Sequence, residues 1–514
     1  MAGDLILVID AGTTSTRSML FAADGTCLGS EQRGVAQHYS KPGWVEHDAE
    51  EIWRSSLACA RAMVAKAGGA ERIAGIGITN QRETIVFWSR RTGAPLARAI
   101  VWQDRRTAED CARLKEAGEE PALQARTGLL LDPYFSASKI AWAMREWPAL
   151  REAGEDLAIG TVESWLIYRL TKGRLHVTDA TNASRTALMD IHSGCWDQGL
   201  LDLFGVPKTA LGEIVDCAGR VGATVLLGTS IPICGMAGDQ QAAAIGQACF
   251  APGETKATYG TGAFVLTHTG EAAPVSGNRL LTTIAWQLGG ERRYALEGSV
   301  FVAGSLIQWL RDSLGLIVTA AESETLARSI PDSGGVTIVP ALSGLGAPHW
   351  APEARAAITG LSFADGRAHI VRAGLEAMAH QTHDLMAAFA ADGAQWARLK
   401  VDGGMVANDW LAQDLADMLG LEVERPAFVE TTALGAAMLA GVGAGLFGSL
   451  KEAAAMRGGV TRFSPDMAGE TRAARLAGWR AALAAVLDAC PWQDGRERLP
   501  EPSLDVGLAR ETET

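Results

Sequence analysis

Two short turns have the composition to hold a polyphosphate. The apolar run 5–9 stops at Asp10-Ala11-Gly12-Thr13-Thr14. The segment Lys256-Ala257-Thr258-Tyr259-Gly260-Thr261-Gly262 repeats the theme 248 positions later, counted from Thr13 to Thr261, ahead of a second apolar run, Phe264-Val265-Leu266. Glycine lets backbone N–H groups approach an anion closely, and threonine hydroxyls add uncharged donors. A carboxylate such as Asp10 at the end of a buried strand needs a hydrogen-bonding or cationic partner, and Mg²⁺ escorting a nucleotide is one. Taken singly, each turn is equally an ordinary Gly/Thr turn; their pairing points to two similar half-chains facing one polyphosphate.

Such turns need a scaffold of strands and helices. Short apolar segments such as 73–78 and 337–339 alternate with amphipathic stretches, which predicts an α/β architecture. Asp48 with Glu51 resembles a capping box, followed on one face by Trp53, Leu57, Ala60 and Val64. Val302, Leu306, Trp309 and Leu310, and later Leu411, Leu415, Met418 and Leu419, form similar core stripes. Pro252-Gly253 punctuates the chain just before the second turn and suggests a boundary there, with the cleft between the halves.

Length and charge narrow the classes. The 514 residues are too many for one core and suggest two or three domains. A net charge of −13 argues against nonspecific binding to nucleic acid or acidic membrane, so any phosphate site must be built locally. The eight cysteines show no C-x-x-C pair and no zinc spacing, and read as reduced cytosolic thiols. The N-terminus lacks the pattern of a secretion signal. Residues 431–450 carry no charge over about a bilayer's thickness, but Gly435, Gly441, Gly443, Gly445 and Gly448 favour close backbone packing inside a domain instead of a membrane span. His380 and His383 form an H-x-x-H pair without a neighbouring Glu or third ligand, and read as a helix-face coincidence. Beyond Trp492 the composition suggests a loose tail.

There is no Walker-type phosphate loop and no G-x-G-x-x-G between an apolar strand and a helix, as a dinucleotide site needs, so the nucleotide fold must be of another type. Asp10-Ala11-Gly12-Thr13-Thr14-Ser15-Thr16-Arg17, Pro42-Gly43-Trp44-Val45-Glu46-His47-Asp48, Asn80-Gln81-Arg82-Glu83-Thr84, Trp102-Gln103-Asp104-Arg105, Asp132-Pro133-Tyr134-Phe135, Thr181-Asn182-Ala183-Ser184-Arg185-Thr186, Gly238-Asp239-Gln240-Gln241, Tyr259-Gly260-Thr261-Gly262 and Asp402-Gly403-Gly404 occur in this order. Together they resemble the motifs of the FGGY carbohydrate kinase family, in the form its glycerol kinases carry, over most of the chain.

The resemblance implies two actin-like ATPase (ribonuclease H-like) domains of α/β class flanking a central cleft. Residues 1–248 would carry the polyol site, first phosphate loop and general base; residues 249–514 the second phosphate loop, adenine site and tail. It implies ATP-dependent phosphorylation of glycerol to sn-glycerol 3-phosphate with Mg²⁺, the first step of glycerol catabolism. The enzyme would be a cytoplasmic homo-oligomer, dimer or tetramer, with no nucleic-acid partner and no integral membrane segment. Asp239 would be the general base; Arg82, Glu83, Tyr134 and Gln240 would contact the polyol hydroxyls, with Asp239 beside them and Trp102 and Phe264 as walls. Thr13, Thr14, Ser15, Arg17 and Thr261 would lie near phosphates, Gly304 and Gln308 on the second wall, Gly404 and Asn408 by the adenine, and Asp10 at the metal.

Plainer readings stand beside these. Asp239 could cap the helix starting at Gln240, Arg82 and Glu83 could pair with each other, Gly404 could be a turn glycine and Gln308 an exposed helix position. Kinases for erythritol, dihydroxyacetone or a pentulose, and a noncatalytic actin-like nucleotide-binding scaffold, are the competing functions; Arg82-Glu83 with Trp102 and Phe264 favours glycerol. The stretch 222–232 is shorter than the loop that binds fructose 1,6-bisphosphate in some relatives, and it lacks their Arg and the His that others phosphorylate, so neither control is expected. Ala11, Asp104 and His349 also differ from some members.

Overall fold

The structure is a computed structural model describing residues 3–490; the stretch beyond Trp492, expected to be a loose tail, lies outside them. Two large twisted sheets form the frame. The first has six strands in the order Ala218–Thr224, Ile231–Gly238, Ile73–Asn80, Leu5–Ala11, Ser15–Ala22 and Cys27–Gly34. Its three central strands run parallel, and Leu5–Ala11 is buried along its whole length, as expected of a strand covered on both faces. The second has seven strands, in the order Leu281–Leu288, Glu291–Val300, Ala263–Gly270, Glu254–Tyr259, Arg398–Asp402, Val423–Pro426 and Val460–Phe463.

The two sheets repeat one plan. Leu5–Ala11 turns back antiparallel into Ser15–Ala22 and lies parallel to Ile73–Asn80; Glu254–Tyr259 turns back into Ala263–Gly270 and lies parallel to Arg398–Asp402. Both expected phosphate turns are therefore hairpin tips, at 12–14 and 260–262, on corresponding strands. In the first sheet Ala11 pairs with Asn80, and Asn80 with Gly238. Three parallel strands thus end side by side, and the residues just beyond them are Gly12, Gln81-Arg82-Glu83 and Asp239. In open α/β sheets ligands collect at the carboxyl ends of strands.

A smaller five-stranded sheet, Gln37–His38, Glu46–His47, Ala99–Ile100, Ile85–Ser89 and Leu157–Thr161, presents Trp102 just after Ala99–Ile100, and Tyr134 comes from the connection between the helices Glu120–Thr127 and Ser136–Glu146. The expected strand Thr337–Val339 pairs with Ala357–Thr359 in a separate two-stranded sheet. The helix Ala49–Ala67 starts at Asp48, whose carboxylate accepts from the Glu50 N–H at 2.9 Å. Glu51 does not close the expected capping box; its carboxylate accepts from the Ala36 N–H at 3.3 Å. That contact ties the helix to the loop after the third strand, an outlet a local pattern does not reveal. Trp53, Ala60 and Val64 are buried as expected.

The uncharged segment is a helix, Thr431–Ala444, packed on the first sheet and against the helix Asp239–Gly246. A Cβ on Gly435 would lie 1.8 Å from the Ala242 carbonyl oxygen, and one on Gly246 2.0 Å from that of Thr431. The glycines therefore permit backbone contact between crossing helices. Among the described residues no helix is long and apolar enough to cross a membrane. The chain then returns to the second sheet at Val460–Phe463.

Candidate functional site

At the strand ends of the first sheet lies a buried cluster of charges. Arg82 is 2% exposed and donates to Glu297 from both terminal nitrogens, Nη1 to Oε2 at 2.5 Å and Nη2 to Oε1 at 3.1 Å. Its Nε lies 3.2 Å from Asp239 Oδ1, and its Nη2 is 3.4 Å from the Tyr134 hydroxyl. Glu83 pairs instead with Arg185, whose Nε donates to Oε1 at 2.7 Å and whose Nη2 donates to Glu297 Oε1 at 2.8 Å. Glu83 has a φ of +59°, a left-handed conformation uncommon for a residue with a Cβ. The Ser136 hydroxyl donates to its carbonyl at 2.9 Å and helps hold it. Arg82 and Glu83 are thus buried, and each pairs with a partner distant in sequence more closely than with the other.

Burial works against the charge of Glu297, but Arg185 and Arg82 outweigh it and hold its carboxyl down at about 2. Burial raises the Glu83 carboxyl despite the same two arginines. The guanidinium pair therefore serves Glu297 more than Glu83.

Asp239 opens the helix Asp239–Gly246, and its Oδ1 accepts from the Gln240 N–H at 2.7 Å. The capping alternative is not met: the helix already includes Asp239, Gly238 occupies the cap position without a side-chain cap, and the carboxylate meets only the N–H of its neighbour Gln240 there. A third of the Asp239 side chain, 33%, is exposed. Burial raises its carboxyl above the usual range, against the pull of Arg82 and Lys256. The Gly238 N–H donates to Thr181 Oγ1 at 2.9 Å, and that hydroxyl is bonded to the buried Asp179, so the strand end carrying Asp239 is fixed from behind.

Aromatic rings close the apolar side. Trp102 lies 5.5 Å from Tyr134 and 6.4 Å from Phe264, all edge-on. The Trp102 indole N–H donates to Thr13 Oγ1 at 3.0 Å, joining the aromatic wall to the first hairpin tip. Lys139, buried and lowered to about 8 by desolvation, donates from Nζ to the carbonyls of Pro133, Tyr134 and Phe135 and pins the loop that presents Tyr134.

The residues expected at the nucleotide fall on two walls. On the first, Asp10 Oδ2 accepts from Arg17 at 3.1 Å, and Arg17 also reaches Glu430 at 2.8 Å. Arg17 is thus committed to two carboxylates, and Ser15 Oγ accepts from Gln32 at 2.9 Å; Thr14 lies exposed at the tip. Burial raises the Asp10 carboxyl, opposed by Arg17. On the second wall, the Thr261 carbonyl accepts from the N–H groups of Ala303 and Ser305, and the Gly304 N–H donates to the Gly260 carbonyl at 2.9 Å. A Cβ on Gly304 would lie 2.5 Å from that oxygen and 3.0 Å from Met405, so this glycine is needed where hairpin tip, helix start and the 404–407 turn meet. Gly404 and Gln308 are exposed, and Asn408 caps the helix Asp409–Leu419 through Leu411 N–H at 3.0 Å. Its amide carbonyl is thereby used structurally.

Mg²⁺ suits the Asp10 side of this arrangement. Among the described residues no group of three or more His, Cys, Asp or Glu could hold a metal ion. A single hard carboxylate near a phosphate-sized turn fits an ion that takes one or two protein oxygens and completes its shell with phosphate and water. His380 stacks on Trp479 at 5.3 Å, as a packed ring and not a ligand.

Three residues of the cluster escape the sequence reading: Arg185, Glu297 and Lys256. Arg185 and Lys256 lie within recognised motifs, but nothing in the local pattern reveals that they are buried and paired. Glu297 lies in no motif; an acid in the apolar strand Glu291–Val300 was the available signal.

The N-terminal domain model of the FGGY family of carbohydrate kinases matches residues 5–246, and its C-terminal domain model matches 255–444. A glycerol kinase of Alcanivorax borkumensis is 54% identical over 487 residues, 94% of this chain and 98% of that protein. One of Rhodospirillum centenum is 55% identical over 484 residues, 93% of this chain and 97% of that protein. Among solved structures, Plasmodium falciparum glycerol kinase with ADP superposes with a TM-score of 0.90 at 36% identity, covering 95% of this chain and 99% of that one. A xylulose kinase from Rhodospirillum rubrum gives 0.84 at 26%, covering 94% and 99%.

Proposed function

The chain belongs to the FGGY family of carbohydrate kinases, and from that premise we propose that it phosphorylates glycerol with ATP, yielding sn-glycerol 3-phosphate. One observation carries the reading: three parallel strands end together and bring a phosphate-sized turn, the buried Arg82 and Glu83, and a partly exposed carboxylate beside a cluster of aromatic rings. This suits a small polyol: donors and acceptors for each hydroxyl, ring surfaces for the carbons, and a base beside a phosphoryl donor.

In the reaction, Arg82, Glu83, Tyr134 and Gln240 hold the glycerol hydroxyls against Trp102 and Phe264. Asp239 accepts the proton of a terminal hydroxyl as that oxygen bonds to the γ-phosphorus and the bond from the γ-phosphorus to the β–γ bridging oxygen breaks, releasing ADP. Arg82 Nε and the Gln240 N–H converge on Asp239 Oδ1, so Oδ2 is the proton acceptor. Burial raises the Asp239 carboxyl, and a carboxylate raised in this way is a stronger base than an ordinary aspartate. The hairpin tips with Thr13, Thr14 and Thr261 cradle phosphates, Ser15 and Arg17 support the first tip, and Gly304, Gln308, Gly404 and Asn408 line the nucleotide's far side. Mg²⁺ near Asp10 offsets charge on the phosphate oxygens when bound.

We take residues 1–248 and 249–514 as the two catalytic halves in sequence order and place the enzyme in the cytoplasm, a reading supported by eight cysteines without a disulfide among the described residues. A panel of polyols assayed with ATP and Mg²⁺ tests the substrate: glycerol should be preferred. Higher kcat/KM on a four- or five-carbon substrate would overturn it.

A further inference from the structure

Lys256 is fully buried on the strand Glu254–Tyr259 beside the site. Its Nζ is hydrogen-bonded to Gln240 Oε1, to Thr258 Oγ1 at 2.9 Å and to the Phe264 carbonyl at 3.4 Å. These acceptors belong to three parts of the site: the residue after Asp239, the second hairpin and the aromatic wall. An ammonium has donors and no acceptor, so the Gln240 atom that meets it must be the carbonyl oxygen. The amide nitrogen of Gln240 is then the end left for the substrate.

We propose that Lys256 is a positioning residue for phosphoryl transfer, fixing the Gln240 amide so that Nε2 donates to a polyol hydroxyl oxygen and adding positive charge that offsets the acids around Asp239. The proposal rests on the glycerol-kinase reading. A hydroxyl that accepts from Gln240 keeps its own proton free to go to Asp239, so the amide's orientation selects a substrate oxygen able to accept and donate at once. The charge argument is independent of the first. Arg82, Arg185 and Lys256 face Glu83, Glu297, Asp239 and the buried Asp402, the carboxylate that acts most strongly on Lys256, so three cations stand against four carboxylates. Without Lys256 the excess negative charge of the cluster grows from one to two where a polyanion must approach.

Three variants separate these effects in the full-length protein, with initial rates over a matrix of glycerol and ATP concentrations and across pH. Lys256→Met should raise KM for glycerol about tenfold or more while KM for ATP moves less than about threefold, and should displace the acid limb of kcat/KM to higher pH. Lys256→Gln, which still donates to Gln240 but is uncharged, should recover most of the glycerol KM and keep the displaced acid limb. Gln240→Glu sits at a half-buried position and keeps a partner for Lys256, so it guards against a variant that fails to fold; it should also raise KM for glycerol about tenfold. Wild-type KM and pH profile in Lys256→Met, equal rises for both substrates, or unchanged glycerol KM in Gln240→Glu would each overturn the proposal. Wild-type protein in the same matrix tests the activity itself: no glycerol turnover there sinks the functional reading, whatever the variants do.

Discussion

Glu297→Gln probes the joint between the two halves. Glu297 stands on a strand of the second sheet and bonds Arg82 through both oxygens, at 2.5 and 3.1 Å, and Arg185 at 2.8 Å. Removing one member of a buried ion pair costs about 3–5 kcal/mol, because the partner charge stays buried. Glutamine retains one acceptor, which places the cost near the lower end, about 3 kcal/mol. An unfolding entropy of about 2.1 cal/mol/K per residue over 514 residues gives about 1.1 kcal/mol/K. Calorimetry should then show a melting temperature about 3 °C lower if the chain unfolds as one unit, and about 6 °C lower if one half unfolds alone. Arg82 also loses the anchor that holds it in the site, so KM for glycerol should rise at least about tenfold with KM for ATP nearly constant. There is a pH signature as well. Glu297 titrates at about 2, below its unfolded value of 4.5. Its stabilisation is therefore complete above pH 4.5 and fades as pH falls toward 2. Glu297→Gln should flatten acid unfolding in that window. Unchanged melting together with unchanged glycerol KM would refute the idea that this carboxylate anchors Arg82.

Asp239→Asn should lower kcat by at least about 10²-fold with little change in ADP affinity by calorimetry; near-normal turnover would remove Asp239 from the base role. Asp10→Asn should raise the Mg²⁺ concentration needed for half-maximal rate at fixed ATP, with glycerol affinity unaltered, and an unchanged Mg²⁺ titration would detach Asp10 from the metal. Gly435→Ala puts a methyl 1.8 Å from the Ala242 carbonyl oxygen, backbone that cannot swing aside. It should cost at least about 1–3 kcal/mol by overpacking, and a melt within error of wild type would mean the helix crossing is looser than described.

What the sequence disclosed follows the range of the interactions involved. The two hairpin tips were readable because glycine, threonine and the apolar strands on either side are local signals. The stripe of Leu411, Leu415 and Met418 was readable for the same reason, since one helix repeats it every turn. Glu51 misled because its partner, the Ala36 N–H, lies across a loop. The Arg82–Glu297 bond joins residues 215 apart, and nothing near either residue announces the other. At Arg17 and Asn408 the structure adds contacts that no local pattern announces: one bridges Asp10 to Glu430, and the other caps a helix. Motif recognition locates residues; which charge neutralises which is fixed by tertiary packing.

The helix Thr431–Ala444 bears on how the protein is made. With Leu450, Ala453 and Met456 it completes the core beneath Ile6, Val8 and Phe21, although it follows nearly the whole second sheet in sequence. At about 5–20 residues per second, the ribosome needs roughly 10 to 40 s to travel from residue 248 to residue 457. Throughout that interval the first half has its sheet but lacks the helix that covers one face of it, and its apolar and glycine-lined surface stays open to water, to chaperones or to another nascent chain. Native assembly of the half that emerges first must wait for a segment made near the end.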